Sequence, residues 1–195
     1  MSFNVTKLNK AIEVGTIIPM TESGGNIGRW VEDQLEKNGY SVNRQKGIDL
    51  HQLGIEVKTR KIDSTSAHTV GSMSPYDIID NDWLPGNNVF DKVQKQYRVK
   101  HQINPLTGDN LVVSAQIYDF TDIEIQSKLK ESWDHCRQVL VQNPNYTFEY
   151  IRGQDKWAYL ELQNNGYYQF RITSGYMDKM EKISNTNKSK LFVFG

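Results

Sequence analysis

The stretch Asp49-Leu50-His51-Gln52-Leu53-Gly54-Ile55-Glu56-Val57-Lys58 decides how the rest of the chain is read. Glu56 and Lys58 alternate with Ile55 and Val57, so in a β-strand the two charged side chains share one face while the two apolar ones enter a core. Asp49 precedes that strand by a short turn. A folded sheet can therefore gather two carboxylates and one ammonium into a cluster of the kind that holds a hard divalent cation beside a water molecule. Asp, Glu and Lys are common residues, and an acidic-x-basic triplet on an exposed strand face is ordinarily cross-strand charge pairing. The surrounding sequence has to decide between the two.

Length and composition narrow the choice. At 195 residues and 22.5 kDa the chain suits one well-buried domain spanning 1–195. A hydrophobic content of 37% with 24% charged residues describes a soluble globular protein with no membrane partner, since no apolar run is long enough to span a bilayer. Met1 to Lys7 lacks the basic-then-apolar layout of a secretory signal, which implies a cytoplasmic protein. Cys136 is the single cysteine; it can form no internal disulfide or thiolate zinc site and belongs to the core. His51, His68, His101 and His135 show no metal-ligand spacing. The formal net charge of zero argues against a generic DNA-coating protein, but not against an enzyme whose positive charge is confined to a cleft.

Working outward, Val5 to Val14 reads as a short helix, Gly15 to Pro19 as a loop or strand, and Thr21 to Gly25 as a break. Asn26 is a good N-cap for a helix in which Ile27, Trp30, Val31 and Leu35 recur at helical spacing until Asn38-Gly39 stops it. Glu32 lies off that stripe. Tyr40 to Val42 suggests a brief strand and Asn43 to Gly47 a turn. After the opening stretch, Ser64 to Ser66 reads as a turn and His68 to Met73 as a second strand, so that a hairpin carries the charged cluster.

Three segments together resemble a known family: Gly25-Asn-Ile-Gly-Arg-Trp-Val-Glu32; Asp49 through Leu53-Gly-Ile-Glu-Val-Lys-Thr59; and Ile62-Asp-Ser64. The pattern resembles the MutH family and its relatives among the type II restriction endonucleases, within the PD-(D/E)xK nuclease superfamily. There, a Gly-x-x-Gly-x-x-x-Glu helix precedes an Asp seven positions before the Glu of a Gly-[Val/Ile]-Glu-[Leu/Val]-Lys-Thr strand, and a lysine follows on a later helix. Residues 23–75 carry the resemblance. Lys92, with Lys95 as the alternative, matches the later lysine. One departure is Gly24, where the MutH branch has a lysine.

The resemblance implies an α/β fold: a restriction-endonuclease-like core with a central mixed sheet flanked by helices (1–145), plus a C-terminal β-hairpin lobe (146–195). It implies Mg²⁺-dependent hydrolysis of double-stranded DNA, with Mn²⁺ able to substitute. Asp49, Glu56 and the Val57 carbonyl are the expected metal ligands, and Glu32, Lys58 and Lys92 complete the expected catalytic set with Asp49 and Glu56. A type II restriction endonuclease is favoured because the match outside the catalytic core is loose. A MutH-like strand-nicking repair enzyme and a non-catalytic DNA-binding module are the alternatives, and either a monomer or a homodimer fits.

Farther along, Lys95 to His101 is a locally basic run, more often solvated than in contact with phosphate, and Asn104 to Asn110 a hairpin turn. Leu111 to Tyr118 reads as a central buried strand. Thr121-x-x-Glu124 forms a capping-box signature before a helix whose core stripe is Ile125, Leu129, Trp133, Cys136 and Leu140. The aromatic-rich end, from Tyr146 and Phe148 onward, predicts a hairpin of Trp157–Gln163 against Tyr167–Ile172 about Asn165-Gly166, a helix near Tyr176–Ile183 and a closing strand Leu191–Phe194. Arg152, Lys156, Arg171 and Lys179 are the candidate DNA contacts of that lobe.

Overall fold

The computed structural model describes residues 5–19, 27–45, 47–143 and 148–191. The chain is a mixed α/β protein whose contacts divide it into two compact units, Met1–Ser64 with Lys95–Tyr118, and Thr65–Gln94 with Asp119–Gly195. The 145/146 boundary falls inside the second unit.

The first unit holds α1 (Val5–Leu8), β1 (Ile17–Ile18), α2 (Ile27–Lys37), β2 (Glu56–Lys61), β4 (Lys95–Ile103) and β5 (Asn110–Asp119), with β3 (His68–Met73) intervening in the sequence. Its sheet runs β1-β5-β4-β2 and is mixed: β2 and β4 are parallel, β1 and β5 antiparallel. The expected pairing of β2 with β3 in a hairpin is not found. Instead β3 joins the other sheet, because its alternating apolar residues match a partner far along the chain, β8 (Tyr168–Ile172).

One face of the first sheet is apolar. Ile55, Val57, Tyr97, Val99 and Val112 pack there with Val31 and Leu35 of α2, Leu8, Ile12 and Tyr40. Helix α2 ends in a Schellman motif: Gly39 adopts φ 86, its N–H bonds to the Glu36 carbonyl at 2.9 Å, and Tyr40 N–H bonds to the Leu35 carbonyl at 3.1 Å. Tyr40 to Val42 forms no strand, since that cap sends Tyr40 into the core instead of to a sheet edge. Helix α1 stops at Leu8, where the bonding shortens to three-residue turns such as Ala11 N–H to Leu8 O. The predicted cap Asn26, the break at Thr21–Gly25, Gly24 and the Gly25 end of the family pattern lie outside the described residues.

The basic run Lys95–His101 is an interior strand, β4, with Gln96, Tyr97, Arg98, Val99 and His101 buried, so it is not a solvated charge run. Between β4 and β5 the chain turns through Asn104, whose N–H bonds to the Asp109 carbonyl at 2.7 Å. β5 is interior in the sheet, although most of its residues are only half-buried.

The second unit places β3, α3 (Pro75–Asp80), α4 (Asn88–Gln94), α5 (Ile123–Gln142), β6 (Tyr150–Ile151), β7 (Ala158–Leu162), β8 and α6 (Ser174–Leu191) around an antiparallel sheet ordered β3-β8-β7-β6. Ser74 caps α3 through a complete capping box with Asp77. The cap of α5 is Asp122, whose side chain accepts the Glu124 N–H; Thr121 is not the cap, because its hydroxyl is engaged by Asp119. The predicted stripe Ile125, Leu129, Trp133, Cys136 and Leu140 is fully buried. Trp83, Phe90, Trp133 and Phe170 form an aromatic core with ring centroids 5.4–5.7 Å apart. Gly166, at φ 80, turns the β7–β8 hairpin as expected. Helix α6 runs on to Leu191, so that residue closes a helix; the remainder of the predicted closing strand, like Tyr146, lies outside the described residues. No helix among the described residues is long and apolar enough to cross a membrane.

Candidate active site

Asp49 reaches the start of β2 because the chain doubles back sharply. Leu50 and Ile55 form an isolated antiparallel bridge around a 3-10 turn, His51–Leu53, and Gly54 closes it in the left-handed region at φ 63, ψ 35. The Asp49 carbonyl is held by the Asn43 N–H at 2.7 Å. Its carboxylate Oδ2 then accepts the Val57 N–H at 2.8 Å, between the two charged residues of the strand.

Along β2 the alternation read from the sequence holds. Ile55 and Val57 are in the apolar core, while Lys58 Nζ donates to Glu56 Oε1 at 2.7 Å on the opposite face. The Glu56 side chain is 2% exposed and that of Lys58 27%, so a half-buried lysine is paired with a buried carboxylate.

β2 is the edge of its sheet among the described strands. In an extended strand the N–H and C=O of one residue point to the same side, and successive residues alternate. The Val57 N–H is committed to Asp49 and the Ile55 N–H and C=O to Leu50, so these residues turn their backbone groups away from β4. The Val57 carbonyl therefore lies on the open edge that the Asp49 carboxylate occupies.

Glu32 is not brought into this group. It lies on α2 with Arg44 Nη1 3.9 Å away, and Arg44 is bonded more closely to Asp33 at 2.5 Å and Glu36 at 2.9 Å. The guanidinium holds the Asp33 carboxyl below the usual carboxylate range, and the two carboxylates raise Arg44 in turn. Among the described residues no three His, Cys, Asp or Glu side chains converge as a metal site. The Asp49 carboxylate and the Val57 carbonyl share the open edge of β2, and Glu56 precedes Val57 on the same strand; all three are oxygen donors, the type that suits a small hard cation that keeps several waters. Lys92 belongs to the second unit, on α4, where its stem lies over Gly71 of β3.

Two residues at the site escaped sequence reasoning. In the parallel register Glu56 stands beside Gln96 and Lys58 beside Arg98. Gln96 and Arg98 are 1% and 2% exposed, and Arg98 Nη1 donates to Gln96 Oε1 at 3.0 Å. A signal existed: Gln96, Arg98 and Lys100 alternate with Tyr97 and Val99, the same period as in β2.

The four cations expected to contact DNA are engaged within the second unit. Lys156 lies 3.7 Å from Glu131 and Lys179 3.0 Å from Glu124, Arg171 pairs with Glu161, and Arg152 sits over the Tyr159 ring at 5.7 Å from its centroid. Cys136 is core as expected; burial pushes its thiol up to about 12.

No protein-family model matches the chain, and no curated protein matches it significantly.

Proposed function

We propose that this protein is a Mg²⁺-dependent endodeoxyribonuclease of the restriction-endonuclease-like fold that hydrolyses phosphodiester bonds of double-stranded DNA in the cytoplasm, most simply as a type II restriction endonuclease. The observation that carries the reading is the placement of the Asp49 carboxylate on the Val57 amide, between Glu56 and the Lys58 bonded to it.

Asp49, Glu56 and the Val57 carbonyl would hold the ion. When bound it supplies Lewis-acid activation of a water and offsets the charge that builds up on the phosphate. The remaining work falls to the chain. The reaction forms a bond from a water oxygen to phosphorus and breaks the bond to the leaving oxygen, which takes up a proton. Lys58 positions the scissile phosphate through its nonbridging oxygen, and its contact with Glu56 fixes where the ammonium sits. The Leu50–Ile55 bridge and the bond to the Val57 N–H keep Asp49 beside β2. Glu32 and Lys92 belong to the expected set by resemblance only.

Incubation of the purified protein with unmethylated plasmid and Mg²⁺ tests the reading. Discrete double-strand fragments are expected. Mostly nicked circles would move the assignment to a strand-nicking enzyme, and DNA left uncut with Mg²⁺ and Mn²⁺ across several substrates would overturn catalysis.

A further inference from the structure

Among the described residues of the first unit, the four buried polar or charged ones, Glu56, Gln96, Arg98 and His101, all lie on β2 and β4. Three of them are register neighbours on one face. Glu56 has Gln96 beside it, and one step of the alternation further on Lys58 has Arg98 beside it. Parallel neighbours are about 4.8 Å apart strand to strand, so these four side chains form a two-by-two block. Within the block each strand makes the same internal contact: Lys58 reaches back to Glu56 at 2.7 Å, and Arg98 reaches back to Gln96 at 3.0 Å.

Burying such groups is costly, and they are kept where the network they form has a use. An arginine stays charged at any accessible pH, so Arg98 fixes a permanent positive charge at 2% exposure in the row of Lys58. By taking Gln96 Oε1 it also fixes which way the Gln96 amide is turned. The Gln96 side chain stands in the row of Glu56, its register neighbour.

We propose that Gln96 and Arg98 are positioning residues of the Asp49–Glu56 site. Arg98 orients the Gln96 amide, and Gln96 together with Lys58 holds the Glu56 carboxylate in the orientation that receives a divalent cation. The inference rests on the nuclease reading for the identity of the cation and makes its own claim about the neighbouring strand. Outer-layer partners of metal-binding carboxylates are worth roughly 10–100-fold in metal affinity.

The test is Mn²⁺ binding to the DNA-free protein, followed by electron paramagnetic resonance of the unbound ion, with circular dichroism on every variant. Wild type is expected to bind and Glu56→Gln to lose binding. Gln96→Leu is expected to weaken binding about 10-fold while keeping the wild-type spectrum. Arg98→Met should do the same. Arg98→Lys should bind within about threefold of wild type, because a lysine spans this interval on the adjacent strand, as Lys58 does. Should Arg98→Met fail to fold, Gln96→Leu carries the test alone. Wild-type Mn²⁺ affinity in a folded Gln96→Leu would overturn the inference and leave the nuclease reading standing. A wild-type protein that binds no Mn²⁺, or a Glu56→Gln variant that binds as well as wild type, would overturn both.

Discussion

Buried Ser132, Asn87 and Ser184 of the second unit are bonded differently from buried Glu56 and Gln96 of the first. In the second unit, Ser132 Oγ accepts the Trp157 and Ala158 N–H groups at 3.1 and 3.2 Å, Asn87 Oδ1 accepts the Val89 N–H at 2.9 Å, and Ser184 Oγ accepts the Asp119 N–H at 2.9 Å. These residues complete the backbone hydrogen bonding of strands and helix ends, a need every folded chain has. In the first unit, Glu56 is bonded by Lys58 and Gln96 by Arg98, side chain to side chain. Backbone geometry requires no such block. The contrast is between polar burial that completes backbone bonding and polar burial between side chains, which the proposed function assigns to the site.

If the second unit is scaffold, its variants should lose stability and keep the site. The largest effect belongs to Trp133→Ala, which empties the aromatic core and removes the donor to the Asn81 carbonyl at 3.1 Å. It should cost about 3–5 kcal/mol by urea unfolding, with Mn²⁺ affinity unchanged below the transition. A Trp133→Ala protein that is stable but fails to bind Mn²⁺ would break the comparison. Ser132→Ala comes next, since two buried amides lose their acceptor; a cost of about 1–3 kcal/mol is expected from the same titration.

A smaller effect is expected from pH. Burial lowers the pKa of His101 below its ordinary 6.5, opposed by its contact with Asn110 at 2.9 Å. The unfolded chain then takes up this proton before the folded one does. The stability tied to His101 is whole above pH 6.5 and is lost as the pH falls toward the lowered folded value. The urea midpoint should fall between pH 7.5 and 5.5, and His101→Gln should flatten that fall. Smallest of all, Lys130→Ala breaks only an exposed helical ion pair with Asp134 and should leave the midpoint unchanged within error.

Local order was legible in several elements whose short period fixed it, though the alternation through Gln96 and Arg98 passed unread. The stripe of α5 and the Asn165-Gly166 hairpin follow from spacing within a single element, and so does the alternation through Glu56 and Lys58. Long-range pairing was not legible. The sequence order suggests a β2–β3 hairpin, but β2 takes β4 as a parallel partner after an excursion through the whole of β3, α3 and α4. Two short strands close in sequence carry no mark that assigns them to different sheets. The same limit hid half of the candidate site. Asp49, Glu56 and Lys58 lie within ten residues and announce themselves, whereas Gln96 and Arg98 gain meaning only from the register with β2. The charges of Lys95–His101 suggested solvent for that reason: nothing local shows that Arg98 has Gln96 to bond and a carboxylate in the next row.

The central claim is that the Asp49–Lys58 cluster performs hydrolysis while Lys156, engaged with Glu131 in the second unit, takes no part in it. Its most direct measurement compares plasmid cleavage in Mg²⁺ by wild type, Lys58→Ala and Lys156→Ala. The account predicts cleavage slowed roughly 10²–10⁴-fold or more in Lys58→Ala, with the fold and much of the DNA binding retained, and wild-type cleavage in Lys156→Ala. Full activity in a folded Lys58→Ala would contradict it.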